Sequence, residues 1–306
     1  MKNDSPRKPG VLNDIFSDPH IVLKLTVILL LLHGATSWNL DVPLRIACGA
    51  MLISTTLLTS RVMWLMVCLT LIAGNANDWA TIDNHKYVIT YWAMACTLAV
   101  GRKDDQSILR TNGRYLIAFI FLFATLWKII AGQYLDGSFL HFAFLTDPRV
   151  HLFANYTGGL DESVLPQNRL LKNLIESMPQ DMMGVTLESS PRLYTTALIS
   201  SYWTLLIEGG TALAFLVPRK FRIGQLSDYL LIFFIATTYV LLPVSGFAFV
   251  LALMGFAQCP PEKIRLRTTY LILFVIIQLT RLPWQKLLPE WFEQTVFLHA
   301  LRFTIC

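Results

Sequence analysis

Lys128 stands near the end of an uninterrupted apolar run, where a charge requires a partner, water or a function. A lysine in apolar surroundings gives up its proton more readily than one in water, and the neutral amine can act as a general base. The alternative is a structural lysine that reaches the lipid headgroups or forms one side of an ion pair. The residue type and its setting therefore predict either proton-transfer chemistry or a structural charge.

Glu208 lies inside another apolar segment, 196–217, where it is either a paired structural acid or part of a proton path. Direct pairing with Lys128 is left open by their depths. If this segment starts at the membrane boundary, Glu208 lies about 18 Å below it, whereas Lys128 lies only about 6 Å below the end of its own helix. A later helix start would close that gap.

His85 directly precedes a third apolar stretch and can exchange protons near neutral pH. A histidine at a helix entrance is also typical of a cap or a surface residue. If both helices run as the charge pattern below predicts, His85 and Lys128 lie at the same membrane face. We therefore treat Lys128 and His85 as candidate catalytic residues, and Glu208 as a candidate structural or proton-path acid.

Other chemistry has no support in the sequence. It has no nucleophile elbow, phosphate-binding glycine loop, HExxH motif or clustered cysteines, so no metal site is predicted. The net charge of +5 comes from short basic clusters between apolar runs, which indicate membrane topology and not a nucleic-acid partner.

Composition indicates the elements that must position these side chains. Hydrophobic residues make up 54% of the chain, charged residues only 15%, and the mean hydropathy is +0.52. The prediction is an all-α integral membrane protein, a polytopic bundle of about eight to nine transmembrane helices in contact with the lipid bilayer. The separate apolar runs are 21–37, 42–59, 62–74, 87–100, 115–132, 196–217 and 268–282.

The stretch 229–257 admits two interpretations. It could form one tilted helix, or two short spans that turn at Pro243. Cytoplasmic loops are rich in Lys and Arg, and only two short spans place the cluster 263–267 on the same side as the basic N-terminus. We therefore predict a hairpin and a cytoplasmic N-terminus.

The same charge pattern defines the domain organisation. Residues 1–20 are predicted to be a cytoplasmic tail, 21–285 the transmembrane domain, and 286–306 a C-terminal tail. Segment 133–192 is predicted to lie outside the membrane as an insertion of short helices on its surface.

Three short motifs resemble the HTTM (horizontally transferred transmembrane) domain family, which includes the membrane domain of the vitamin K-dependent gamma-carboxylases. The first is Asn-His-Lys-Tyr at 84–87. The second is Leu-Trp-Lys-Ile at 126–129, followed by the aromatic and glycine-containing turn at 133–140. The third runs from Glu-Gly-Gly at 208–210 to Cys-Pro-Pro at 259–261.

The resemblance implies a carboxylase-like, lyase-type function for two of these residues. In the carboxylases the lysine at the position of Lys128 deprotonates the reduced vitamin K, and the histidine at the position of His85 belongs to the same active site. The chain differs in having Trp127 where the carboxylases have a second lysine, and little chain follows Leu282. The resemblance thus implies a membrane enzyme that uses a reduced quinone and oxygen.

Two other functions stay open. The chain could be a non-catalytic protein or subunit that binds a lipid or a quinone, with Lys128 and Glu208 as structural charges. The chain could also be a transporter, because transporters contain interrupted helices like the stretch around Pro243. No inverted repeat accompanies that stretch.

Overall fold

The structure, a computed structural model, describes residues 16–35, 37–161, 163–177, 186–241 and 244–279. Of these residues, 81% are helical and none is in a strand, so the predicted all-α fold is confirmed. Most of the predicted N-terminal tail, the whole C-terminal tail and Pro243 lie outside the described residues.

Fourteen helices build the described part of the molecule. They are α1 (Ile21–His33), α2 (Trp38–Ile53), α3 (Thr55–Leu58), α4 (Arg61–Asn77), α5 (Asn84–Ala99), α6 (Asp105–Ala131), α7 (Ser138–Thr146), α8 (His151–Gly158), α9 (Val164–Ser177), α10 (Pro191–Leu216), α11 (Arg222–Gln225), α12 (Ser227–Leu241), α13 (Ser245–Gln258) and α14 (Ile264–Leu279).

Helix α13 forms the centre of the main bundle. Its residues from Ala248 to Gln258 are all buried, because the helix is apolar on every side and packs against α1, α5, α6, α12 and α14. Small residues permit the closest approaches. Gly113 of α6 faces the carbonyl oxygen of Met254, which a Cβ atom at position 113 would approach to 3.1 Å.

Helices α12 and α13 form an antiparallel pair. Gln258, at the end of α13, donates a hydrogen bond of 2.6 Å to Asp228, near the start of α12. The chain therefore reverses direction between residues 241 and 245, and the interpretation of 229–257 as two helices is confirmed.

Segment 133–192 contains the predicted short helices. Helices α7, α8 and α9 pack with the first half of α10 around a second, smaller core, which we call the outer core and which includes Leu140, Phe144, Leu193 and Ala197. Only the first half of α10 contributes to this core, and its second half packs along α6 in the main bundle. One 26-residue helix thus joins the two cores.

Helix length does not support the predicted eight to nine spans. Among the described residues, α6 alone is long and apolar enough to cross a membrane. Helices α1, α4, α12 and α13 are apolar but have 13, 17, 15 and 14 residues. At 1.5 Å per residue they are about 20–26 Å long, less than the roughly 30 Å of a hydrocarbon core. The apolar runs overestimated the number of membrane spans, because parts of these runs lie in turns and not in helices.

Basic residues of α6, of the segment between α10 and α12, and of the α13–α14 connection lie at one end of the bundle, namely Arg114, Arg219 and Lys263. The Arg114 guanidinium donates a 2.6 Å hydrogen bond to the carbonyl of Val217, at the end of α10. Arg219 donates a 2.6 Å hydrogen bond to Gln258, which brings the α10–α12 loop against the end of α13. We call this the basic end.

Candidate functional site

Lys128 and Glu208 form a direct ion pair. The Lys128 Nζ lies 2.6 Å from Glu208 Oε2, and the two side chains are only 16% and 10% exposed. Helix α6 supplies the lysine one turn before its C-terminus, and α10 supplies the glutamate near its middle. The pair joins positions 80 residues apart in the chain, so it also ties the two longest helices together.

The sequence left the pairing of Lys128 with Glu208 open, and the structure brings the two together because α10 starts at Pro191 and not level with the end of α6. Tyr202 and Tyr194 of α10 donate hydrogen bonds to the carbonyls of Leu135 and Asp136, in the turn just after α6. The first half of α10 therefore projects past α6 into the outer core. Glu208 lies further along α10, and this brings it level with Lys128.

The surroundings of the pair are aromatic and apolar. Lys128 Nζ lies 5.2 Å from the centre of the Tyr134 ring, within range of a cation–π contact. Thr204, one helical turn before Glu208 and hence on the same face, lines a small apolar pocket of about 80 Å³. The pocket is closed on other sides by Leu140, Phe144 and Thr237.

His85 lies at a separate place, at the start of α5 and opposite to the basic end. Its ring is buried between Gly246 and the rings of His33 and Phe247, with ring centres 5.7 Å and 6.1 Å away. A Cβ atom at position 246 would overlap the imidazole, so only glycine fits there. Burial between three neighbours fixes the ring, which a surface histidine or a simple helix cap would not require.

The imidazole of His85 lines an open cavity of about 390 Å³ whose rim is polar and charged. Lys86 donates hydrogen bonds to the carbonyls of His33 and Gly34. At the rim, the hydrogen bond from Arg149 holds the pKa of Asp147 below its ordinary value.

The structure therefore brings Lys128 and Glu208 together, and it assigns His85 to a different set of neighbours. Lys128 is not among the described residues that line the His85 cavity. A single site formed by Lys128 and His85 stays a prediction. The groups that are in contact are the amine of Lys128, the carboxylate of Glu208 and the phenol ring of Tyr134, beside an apolar pocket. Such a set of groups is suited to moving a proton.

A buried polar network surrounds Asp228, which the sequence patterns did not predict. This fully buried carboxylate accepts hydrogen bonds from Arg219 (3.1 Å), Gln258 (2.6 Å) and Tyr270 (3.2 Å), and lies 3.9 Å from Lys263. The partners come from two loops and two other helices. An acid at the start of an apolar helix was the available signal, but its partners became evident only when the hairpin brought the two helix ends together.

No site for a metal ion is evident in the part of the chain that the structure describes. No group of three or more His, Cys, Asp or Glu residues is placed there to ligate one. The four described cysteines are free and buried.

Comparisons with known proteins identify no relative of this chain. No protein family, no curated protein and no solved structure matches it.

Proposed function

We propose that this chain is a multi-pass membrane protein in which the Lys128–Glu208 pair transfers a proton to or from an apolar substrate of the reduced quinone class. The 2.6 Å contact between these two side chains, both almost fully withdrawn from solvent, is the observation that supports the proposal most directly. The resemblance to the gamma-carboxylase membrane domain agrees with it, because Lys128 occupies the position of the lysine base.

Exposed apolar surface supports membrane embedding. Only 17% of the residues in the most apolar stretch of α6 are buried, whereas a core helix of a water-soluble protein would be mostly buried. Soluble proteins rarely expose large continuous apolar surfaces. Large apolar side chains are exposed on many helices, for example at Ile53, Leu69, Phe123, Ile130, Leu206 and Ile276.

The charge distribution supports an orientation. The basic end collects positive residues from the loops after α5, α10 and α13, and positive residues favour the cytoplasmic side. The basic end then faces the cytoplasm, and the Lys128–Glu208 pair, near the other end of α6, lies toward the outer side. Helices shorter than the hydrocarbon core are accommodated by thinning of the bilayer around the protein.

The chemistry follows from the pair itself. In low-dielectric surroundings, separated charges are costly, so an amine and a carboxylate joined by a short hydrogen bond can exist as two ions or as two neutral groups. Transfer of the shared proton from Lys128 to Glu208 leaves a neutral amine. That amine can accept the proton of a phenolic O–H, and the phenolate of a reduced quinone is the form that reacts with oxygen.

The test follows oxygen uptake by the purified protein in lipid nanodiscs supplied with reduced quinones. Arginine keeps the positive charge of Lys128 but does not become a neutral base. We expect Lys128→Arg to lower the rate by about 10²–10⁴-fold, the usual cost of losing a general base, with an unchanged melting temperature. Lys24→Arg is the matched control, because Lys24 also pairs with a carboxylate at 2.6 Å, at the opposite end of the bundle. Full activity of Lys128→Arg would contradict the proposal.

The second candidate function is a non-catalytic lipid- or quinone-binding protein or subunit. The same contact favours it, because a lysine and a glutamate that satisfy each other need no further role. In that case the apolar double variant Lys128→Met/Glu208→Leu should be at least as stable as the wild type, since a buried ion pair seldom exceeds apolar packing in net stability. Quinone binding that survives in this double variant, with no oxygen uptake in the wild type, would favour this second function.

A further inference from the structure

A cavity at the basic end contains two arginines that have no acidic partner among the residues that the structure describes. It has a volume of about 200 Å³ and lies between the residues just before α1, the start of α6 and the α13–α14 connection. Arg110 and Arg267 line it. Neither guanidinium group forms an ion pair or a hydrogen bond with any residue that the structure describes, and the Nε of each is buried without an acceptor.

Arg267 is the more confined of the two. It is only 7% exposed, and its guanidinium carbon lies 4.3 Å from the centre of the Phe256 ring and 5.4 Å from that of Phe16. Aromatic faces stabilise the positive charge but do not provide the in-plane oxygen acceptors that a guanidinium group prefers. A buried arginine with these neighbours therefore keeps unused donors, which is costly unless a ligand accepts from them.

The carboxylates near the cavity do not serve as these acceptors. Asp18 is bound by Lys24 at 2.6 Å and by the backbone N–H of His20 at 2.8 Å. Asp105 accepts from the backbone N–H of Gln106 at 2.6 Å. The cavity thus has two carboxylates that are engaged with other donors, and two arginines that are engaged with none in the described part of the chain.

The helix directions add to the positive potential. Ile21 and Val22, in the first turn of the 13-residue α1, line the cavity, and so do Asp105 and Gln106, in the first turn of the 27-residue α6. The N-terminus of a helix carries a partial positive charge, which favours anions. The N–H groups of Ile21 and Gln106 themselves are engaged with Asp18 and Asp105. Two such termini, and two guanidinium groups without a hydrogen-bond acceptor among the described residues, therefore line one partly open cavity.

We propose that this cavity binds a phosphate group, with Arg110 and Arg267 as its ligands. Arginine donates two parallel hydrogen bonds to phosphate oxygens, and a volume of about 200 Å³ admits a phosphate with part of its substituent. The site is distinct from the Lys128–Glu208 pair and does not depend on its chemistry. The phosphate belongs either to the headgroup of an anionic phospholipid at the cytoplasmic surface or to a free phosphate in solution. Basic pockets between helices on that side are suited to such headgroups.

The test measures the melting temperature of the purified full chain in a nonionic detergent. One arm adds sodium phosphate and compares it with sodium chloride at equal ionic strength. The other arm adds mixed micelles that contain phosphatidylglycerol, and compares them with detergent alone and with phosphatidylcholine, whose phosphodiester charge is balanced by its own ammonium group. Stabilisation by both phosphate and phosphatidylglycerol identifies the phosphate group as the ligand, and stabilisation by phosphatidylglycerol alone identifies the lipid headgroup.

Variants assign the effect to the cavity. Arg267→Gln should weaken binding by about tenfold to a hundredfold, the usual loss when hydrogen bonds to a charged group are removed. Arg265→Gln is the matched control, because it removes the same charge from an exposed position on the same helix. Arg110→Gln, at a half-buried position, provides a second test if Arg267→Gln fails to fold. No stabilisation of the wild type in either arm, or equal losses in Arg267→Gln and Arg265→Gln, would overturn the proposal.

Discussion

Two buried acids in this protein are held by partners from other parts of the chain. Glu208 accepts a hydrogen bond from a lysine of α6, and Asp228 accepts hydrogen bonds from an arginine, a glutamine and a tyrosine of three other segments. A buried charge requires such partners, because an unpaired one would cost several kcal/mol or become neutral. The two acids differ in number of partners, and this difference predicts different responses to substitution.

Glu208→Gln should be tolerated better than Glu208→Leu. The amide still offers an oxygen acceptor to Lys128, whereas leucine leaves the ammonium group without a hydrogen-bonding partner at this position. We expect the leucine variant to be less stable than the glutamine variant by about 1–2 kcal/mol. Melting temperatures in detergent provide the measurement, and equal values for the two variants would show that the carboxylate position makes no important polar contact.

Asp228→Asn should destabilise the protein more strongly. The substitution removes the negative charge opposite Arg219 and Lys263. It also replaces one acceptor oxygen by an NH₂ group, which cannot accept the hydrogen bonds that Gln258 and Tyr270 donate. Removing one partner of a buried pair typically costs about 3 kcal/mol or more. Thermal unfolding is the measurement, and Asp78→Asn, at an exposed position, is the control. A loss no larger than in the control would contradict the importance of the network.

At the scale of helices, α13 depends on glycine where it meets its neighbours. An added Cβ at Gly255 would overlap the ring of Tyr270, whose hydroxyl group belongs to the Asp228 network. At Gly210 of α10, by contrast, an added Cβ would meet no atom within 4 Å. The two glycines thus provide a matched comparison inside helices of the same bundle.

Gly255→Ala should therefore lower stability by about 1–3 kcal/mol through overpacking. Gly210→Ala should raise stability by up to about 1 kcal/mol, because alanine is the better helix former. The melting temperatures of both variants in the same detergent test this difference. A neutral effect of Gly255→Ala would mean that Tyr270 has an alternative position without loss of its hydrogen bonds.

Local sequence features predicted the helices well and their mutual positions poorly. Apolar runs and the break near Pro243 identified the helices and the hairpin, because these depend on nearby residues. The level of Glu208 relative to Lys128 was left open, because the position of α10 depends on packing of Leu193 and Ala197 on α7 and α8, which no local pattern reveals. The sequence singled out Lys128 as a candidate base and Glu208 as a structural or proton-path acid, but their contact depends on the packing of the outer core. The roles of Lys128, His85 and Glu208 stay predictions.

At the scale of the whole molecule, the basic end predicts which loops face the cytoplasm. Arg265→Cys should be inaccessible to a membrane-impermeant thiol reagent in intact cells, and Trp79→Cys, in the loop before α5, should react. The four described native cysteines are buried, which limits background labelling among the described residues. Modification of residue 265 in intact cells, with residue 79 protected, would show that the orientation is reversed.

Helix α10 is a single helix whose two halves pack in different cores. Ala197 is packed in the outer core, and Glu208 lies eleven residues further along, about 16 Å away. A tilt of about 5° around Ala197 would move the carboxylate by about 1.4 Å at that distance, enough to separate it from Lys128. The packing of the outer core thus controls the distance between Lys128 and Glu208. A lipid surface or a second protein that tilted α10 by docking on α7 to α9 would thus lengthen the Lys128–Glu208 contact without touching either residue.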